Sequence, residues 1–123
     1  MKQTEIEALI KKCDFDGLIM ACKESKEILI DVLKAIDRIG ALEENILGYY
    51  ACISLLQLEL TNKEQAGIHN TAAFLLTNGI NFINGAYPLG RYHAQMCVKL
   101  DPENIAYKQA LLQVFTSVPE LED

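Results

Sequence analysis

Gly90-Arg91-Tyr92-His93-Ala94-Gln95-Met96-Cys97-Val98-Lys99-Leu100-Asp101-Pro102-Glu103-Asn104 holds a helix, its stop and the restart of another. Gly90, Ala94 and Cys97 recur at helical spacing. Small side chains there let a second helix come close. After Leu100, Asp101 is the expected N-cap of a new helix and Pro102 its first residue. Glu103 falls near the positive end of the new helix dipole. The stretch predicts two helices meeting at a sharp hairpin.

Downstream, Ile105, Leu111, Leu112 and Phe115 are the expected inner face of a seventh helix, ended by Val118-Pro119. Upstream, the sixth helix is expected from about Ala86, with Pro88 in its first turn, where a missing N–H costs nothing. Asn78-Gly79 and Asn84-Gly85 are turn dipeptides around a short irregular or extended piece, Ile80 to Ile83. Asn62 with Gln65 opens a fifth helix, with Ala66, His69, Ala73 and Leu76 on one face. The fourth is expected from about Leu42 to Leu60, with Ile46, Leu47, Tyr50, Ile53, Leu56 and Leu60 inward. Ser25 caps a third, whose stripe is Ile28, Leu29, Val32, Leu33, Ile36 and Ile39 and whose stop is Gly40. Asp16 is the expected cap of a short second helix, with Leu18, Ile19 and Cys22 inward. Thr4 and Glu7 form a capping-box pattern ahead of Ile6, Leu9, Ile10 and Cys13. No segment alternates strictly. The expectation is an all-α chain of about seven helices joined by short loops, a single helical domain over residues 1–123.

Composition agrees. The chain has 123 residues, half of them apolar and 23% charged, with seven glycines and three prolines. A chain of this size buries roughly two thirds of its surface on folding. A disordered tail, a collagen-like chain and a low-complexity linker are excluded. The net charge is −6: residues 1–61 hold 11 acids and 7 bases, residues 62–123 hold 6 and 4. That argues against non-specific nucleic-acid binding, which needs a basic face. No apolar run approaches the ~20 residues of a membrane span. Met1 to Glu7 shows no apolar signal core, so a cytoplasmic chain is expected. Cys13, Cys22, Cys52 and Cys97 lack any C-x-x-C pairing and are expected as reduced thiols at packing positions.

The catalytic inventory is empty: no phosphate loop, no H-E-x-x-H, no G-x-S-x-G. His93 and Cys97 lie four apart on one helix face. They suit a nucleophile pair or half a zinc site, but no second ligand pair accompanies them. Packing is the favoured reading for both, and for His69. The expectation is therefore no catalytic residue, no metal and no cofactor. From Gln65 to Gly90 there is no Asp, Glu, Lys or Arg. Such a run fits a helix covered on both sides, or a docking surface, since interface cores are depleted in charge. Asn70, Asn78, Asn81 and Asn84 would then supply neutral hydrogen bonds. The acids of the first 44 residues read mainly as solvated helix faces, and otherwise as a surface that steers a basic partner.

The stretch from Gly90 to Asn104 resembles the second helix and restart of a tetratricopeptide repeat: small residues at Gly90, Ala94 and Cys97, then Leu100-Asp101-Pro102. Leu111, Leu112 and Phe115 fit the packing positions of the following helix. The resemblance covers about thirty residues and implies one degenerate repeat in a right-handed stack of helical hairpins. The small, acidic, all-helical character also resembles the immunity proteins of contact-dependent and other polymorphic bacterial toxin systems. That resemblance implies a non-enzymatic protein that binds and neutralises a basic, nuclease-type toxin domain. The expected contacts are Asp14, Asp16, Glu43 and Glu44, with Asn81, Asn84 and Tyr87 from the neutral loop. The alternative is a tetratricopeptide-like adaptor or secretion chaperone holding a peptide segment. Tyr49-Tyr50, or the loop around Phe82, would suit a homodimer patch.

Overall fold

The computed structural model describes residues 1–38, 42–80 and 84–117, with backbone alone at 42–44 and 115–117. These residues form seven α-helices and one π-helical turn, gathered in two compact units, 1–59 and 60–123. No helix among them is long and apolar enough to cross a membrane.

The first unit holds α1 (Gln3–Lys11), α2 (Phe15–Glu24), α3 (Lys26–Arg38) and α4 (Leu42–Leu55). Helix α1 packs on the other three, and α2 and α3 also meet α4. The buried apolar set is Ile6 and Ile10 of α1, Leu18 and Cys22 of α2, and Leu29, Val32 and Ile36 of α3. These lie on the stripes that helical spacing predicts, of which Leu9, Ile19, Ile28 and Leu33 are half-buried. Cys13, expected at a packing position, is exposed, because it lies beyond the end of α1. The Gln3 amide donates to the Asp31 carbonyl at 3.0 Å and ties the head of α1 to α3.

Several details depart from expectation. Helix α1 starts at Gln3, so Thr4 lies within its first turn, and Glu5 reaches back to the Lys2 N–H at 3.5 Å. Asp14, not Asp16, caps α2, accepting from the Gly17 N–H at 3.0 Å. In α4, Gly48, Ala51, Cys52 and Leu55 are buried, while Tyr50 and Ile53 are exposed. Leu55 apart, the buried face is thus made of small residues, which allow a closer approach than the larger side chains expected there. The helix also stops at Leu55, short of Leu60. The rings of Tyr49 and Tyr50 lie tilted to each other, with centroids 6.3 Å apart. Ile39, Gly40, Phe82 and the Val118-Pro119 stop lie outside the described residues.

The second unit holds α5 (Asn62–Phe74), the π turn (Leu75–Gly79), α6 (Ala86–Leu100) and α7 (Ile105–Ser117). Helix α5 packs on α6, and α6 on α7. A capping box opens α5, but one residue earlier than expected. Thr61 accepts from Glu64 N–H at 3.2 Å, and the Glu64 carboxylate accepts from Thr61 N–H at 2.9 Å. Ala66, Ile68, His69, Thr71, Ala72 and Ala73 are all buried. No single stripe holds both 68–69 and 71–73, so α5 is covered around most of its circumference. That explains much of the charge-free run.

Gly85 starts α6 at φ +85°, a left-handed conformation that glycine adopts without strain. Pro88 sits in the first turn, as expected. Asp101 closes α6 instead of opening α7: its N–H donates to Cys97 O at 2.9 Å. Asn104 takes the capping role, accepting from the Tyr107 N–H at 3.4 Å. Ile105 and Leu112 are mostly exposed, contrary to the inner face expected for α7. Its half-buried side is Tyr107, Ala110, Leu111 and Val114.

Candidate binding groove

The α5–α6 contact depends on a missing side chain. A Cβ at Gly90 would lie 2.8 Å from Thr77 Cγ2, so only glycine lets α6 approach the π turn this closely. Ala94 and Cys97 continue the same buried face one and two turns on. The π turn is held by its own side chains. Thr77 Oγ1 donates to Ala73 O at 2.9 Å, and the Asn78 amide donates to Phe74 O at 3.2 Å. Wider π turns occur often at functional sites.

Close approach on this side leaves a groove of about 460 Å³. Helix α5 contributes Asn70, Ala73 and Phe74, and the π turn Thr77 and Asn78. Tyr87, Ala94 and Cys97 come from α6, and Tyr107, Ala110, Gln113 and Val114 from α7. No Asp, Glu, Lys or Arg stands among these. Phe74 is 59% exposed, unusual for its size. Asn70 is exposed and its side chain has no hydrogen-bond partner among the described residues. Burial pushes the Tyr107 hydroxyl above its ordinary range.

Between α5 and α6 lies a buried histidine pair. His69 and His93 face each other with Nδ1···Nδ1 at 2.8 Å, so one neutral ring donates and the other accepts. Tyr92 meets both rings edge-on. Burial lowers both pKa values, and the neighbouring His69 lowers His93 further, to about 4. The Cys97 thiol donates to Ala66 O at 3.3 Å, and burial pushes its pKa up to about 12. His93 and Cys97 therefore spend these polar atoms on different partners across the α5–α6 contact. Among the described residues, no three His, Cys, Asp or Glu side chains gather to hold a metal ion.

The residues expected at a partner surface are only partly brought together. Asp14 and Asp16 are exposed at the head of α2, in the first unit. Asn84 is exposed just before α6, and Tyr87 lines the groove. The side chains of Glu43 and Glu44, and all of Asn81, lie outside the described residues. Asn70 and Asn78 belong to the charge-free run and were legible from it. Phe74, Tyr107 and Gln113 were not, because nothing in the periodicity separates a groove wall from a core face. Comparison with protein-family models, curated proteins and solved structures found no match to this chain.

Proposed function

We propose that this chain is a non-enzymatic protein-binding module whose second unit receives part of the partner in the groove of α5, α6 and α7. One observation carries the reading: in a chain of net charge −6, this groove has no charged lining residue among the described residues and presents a largely exposed Phe74. Interface centres have this character, depleted in charge and rich in aromatics. Covering a phenylalanine fully is worth about 1.5–3 kcal/mol. The partners found for His93 and Cys97 support a packing role for both. The succession of α5 on α6 and α6 on α7 suits a repeat-type adaptor, and Gly90 at the crossing suits the tetratricopeptide-like reading of residues 90–104.

A second reading, neutralisation of a basic nuclease-type toxin, is favoured by the exposed Asp14 and Asp16 and by the acidic excess of residues 1–61. Negative charge raises the association rate with a basic partner. The test co-expresses the tagged chain with the neighbouring open reading frames and measures the affinity of the co-purifying protein. The groove reading expects Phe74→Ala to weaken binding about tenfold and Asp14→Lys/Asp16→Lys to leave it nearly unchanged. The reverse pattern, with lethality of the partner expressed alone, would replace it by the toxin reading.

A further inference from the structure

The groove's chemistry narrows its occupant, on the reading that the groove is the binding surface. Among its lining residues, Asn70 and Asn78 belong to the run of 26 residues, Gln65 to Gly90, without Asp, Glu, Lys or Arg. A charged side chain entering such a site would lose its hydration and meet no counter-charge. Charge complementarity therefore selects against acidic and basic residues alike, although the chain as a whole would attract bases.

The groove's polar groups include the amides of Asn70 and Asn78 beside the hydroxyls of Thr77, Tyr87 and Tyr107. An asparagine amide, like a peptide group, carries both an acceptor oxygen and N–H donors, and can bond main chain in both directions. Asn70 is exposed and its side chain is unpartnered among the described residues. Asn78 is oriented by its own N–H groups, which donate to Phe74 O at 3.2 Å and to Thr77 Oγ1 at 3.1 Å. That leaves its oxygen as an acceptor. Alongside stand Phe74 and the rings of Tyr87 and Tyr107. A volume of about 460 Å³ lies within the usual range of ligand sites, roughly 300–1,000 Å³. A helical segment would have its main-chain groups already paired with one another, whereas an extended one leaves them free for these amides.

We propose that the groove recognises a short, uncharged, extended peptide segment, with Asn70 and Asn78 bonding its main chain and Phe74 covering one aromatic or large aliphatic side chain. Specificity comes from rejecting charge, and affinity from the anchor.

The probe is a phage-displayed random heptapeptide library panned on the full chain. The most enriched synthetic peptides are then titrated by calorimetry and mapped by amide chemical shifts. The expected consensus has no Asp, Glu, Lys or Arg at its centre and carries one aromatic or large aliphatic residue. Shift changes should cluster at Asn70–Asn78 and on α7. Phe74→Ala should weaken binding about tenfold or more, and Asn70→Ala by about three- to tenfold. Both residues are exposed, so both variants should keep the wild-type unfolding midpoint. A lysine or aspartate at the anchor position should lower affinity at least about tenfold, and added salt should change the wild-type affinity by less than about twofold. Groove-mapped binding of charged peptides, or binding indifferent to Asn70, overturns the uncharged-segment proposal and leaves the groove as a binding surface. Shift changes confined to residues outside the groove, or no enrichment, overturn both.

Discussion

Cys13 has φ +58°, the one positive value among the described non-glycine residues. It ends α1 in a Schellman pattern: Asp14 N–H donates to Leu9 O at 2.8 Å and Cys13 N–H to Ile10 O at 3.0 Å. Glycine is the usual residue at this left-handed position, and a side chain there costs roughly 1 kcal/mol. Cys13 is exposed, so its thiol packs little. Cys13→Gly is therefore expected to stabilise the chain by about 0.5–1 kcal/mol, read as a higher urea midpoint with an unchanged slope. The same motif explains why Asp14 and not Asp16 caps α2. The Asp14 N–H finishes one helix while its carboxylate begins the next. Two aspartates two residues apart look alike as caps in the sequence. The choice between them depends on where the preceding helix stops, and that depends on a cysteine adopting a conformation its type disfavours.

At the scale of the elements, the α5–α6 contact carries two predictions. Gly90→Ala gains about 1 kcal/mol of helix propensity but drives its Cβ to 2.8 Å from Thr77 Cγ2. Thr77 cannot swing away freely, because its hydroxyl is bonded to Ala73 O. The net expectation is a loss of about 1–2 kcal/mol. With Thr77→Ser in place the clashing methyl is gone, and the same Gly90→Ala change should stabilise. A double-mutant cycle by denaturant unfolding reads that reversal of sign. The histidine pair gives the second. Both rings are neutral in the fold with pKa values below 6.5, so the unfolded chain binds more protons in acid. The contribution is complete above about pH 6.5 and is lost as pH falls toward 4. His93 alone accounts for up to about 3 kcal/mol. Unfolding measured from pH 7.5 to 4.5 should show this slope, and His69→Gln/His93→Gln should flatten it. Helix existence, the small-residue face Gly90-Ala94-Cys97 and the burial of His69 were all legible from spacing. The faces of α4 and α7 were not. Helical periodicity ranks residues by apolarity, whereas α4 buries Gly48, Ala51 and Cys52 and leaves Tyr50 and Ile53 outside. A helix packed closely by small residues inverts the usual order.

At the scale of the whole molecule, charge and neutrality are divided along the chain. Residues 1–59 hold the exposed Asp14 and Asp16 at the head of α2, and residues 60–123 hold a groove without charged lining among the described residues. On the groove reading, charge reversal at Asp14 and Asp16 should leave both the association and the dissociation rate nearly unchanged in stopped-flow measurements, whereas association slowed most at low salt is the outcome the toxin reading expects. The central claim is that the groove seats the partner. It is tested most directly by placing a photo-crosslinking residue at position 74, and separately at position 16, in chains co-expressed with the candidate partner. The account predicts a dominant crosslink from position 74 to an uncharged segment of the partner and little from position 16. Crosslinking from position 16 with none from position 74 would contradict it.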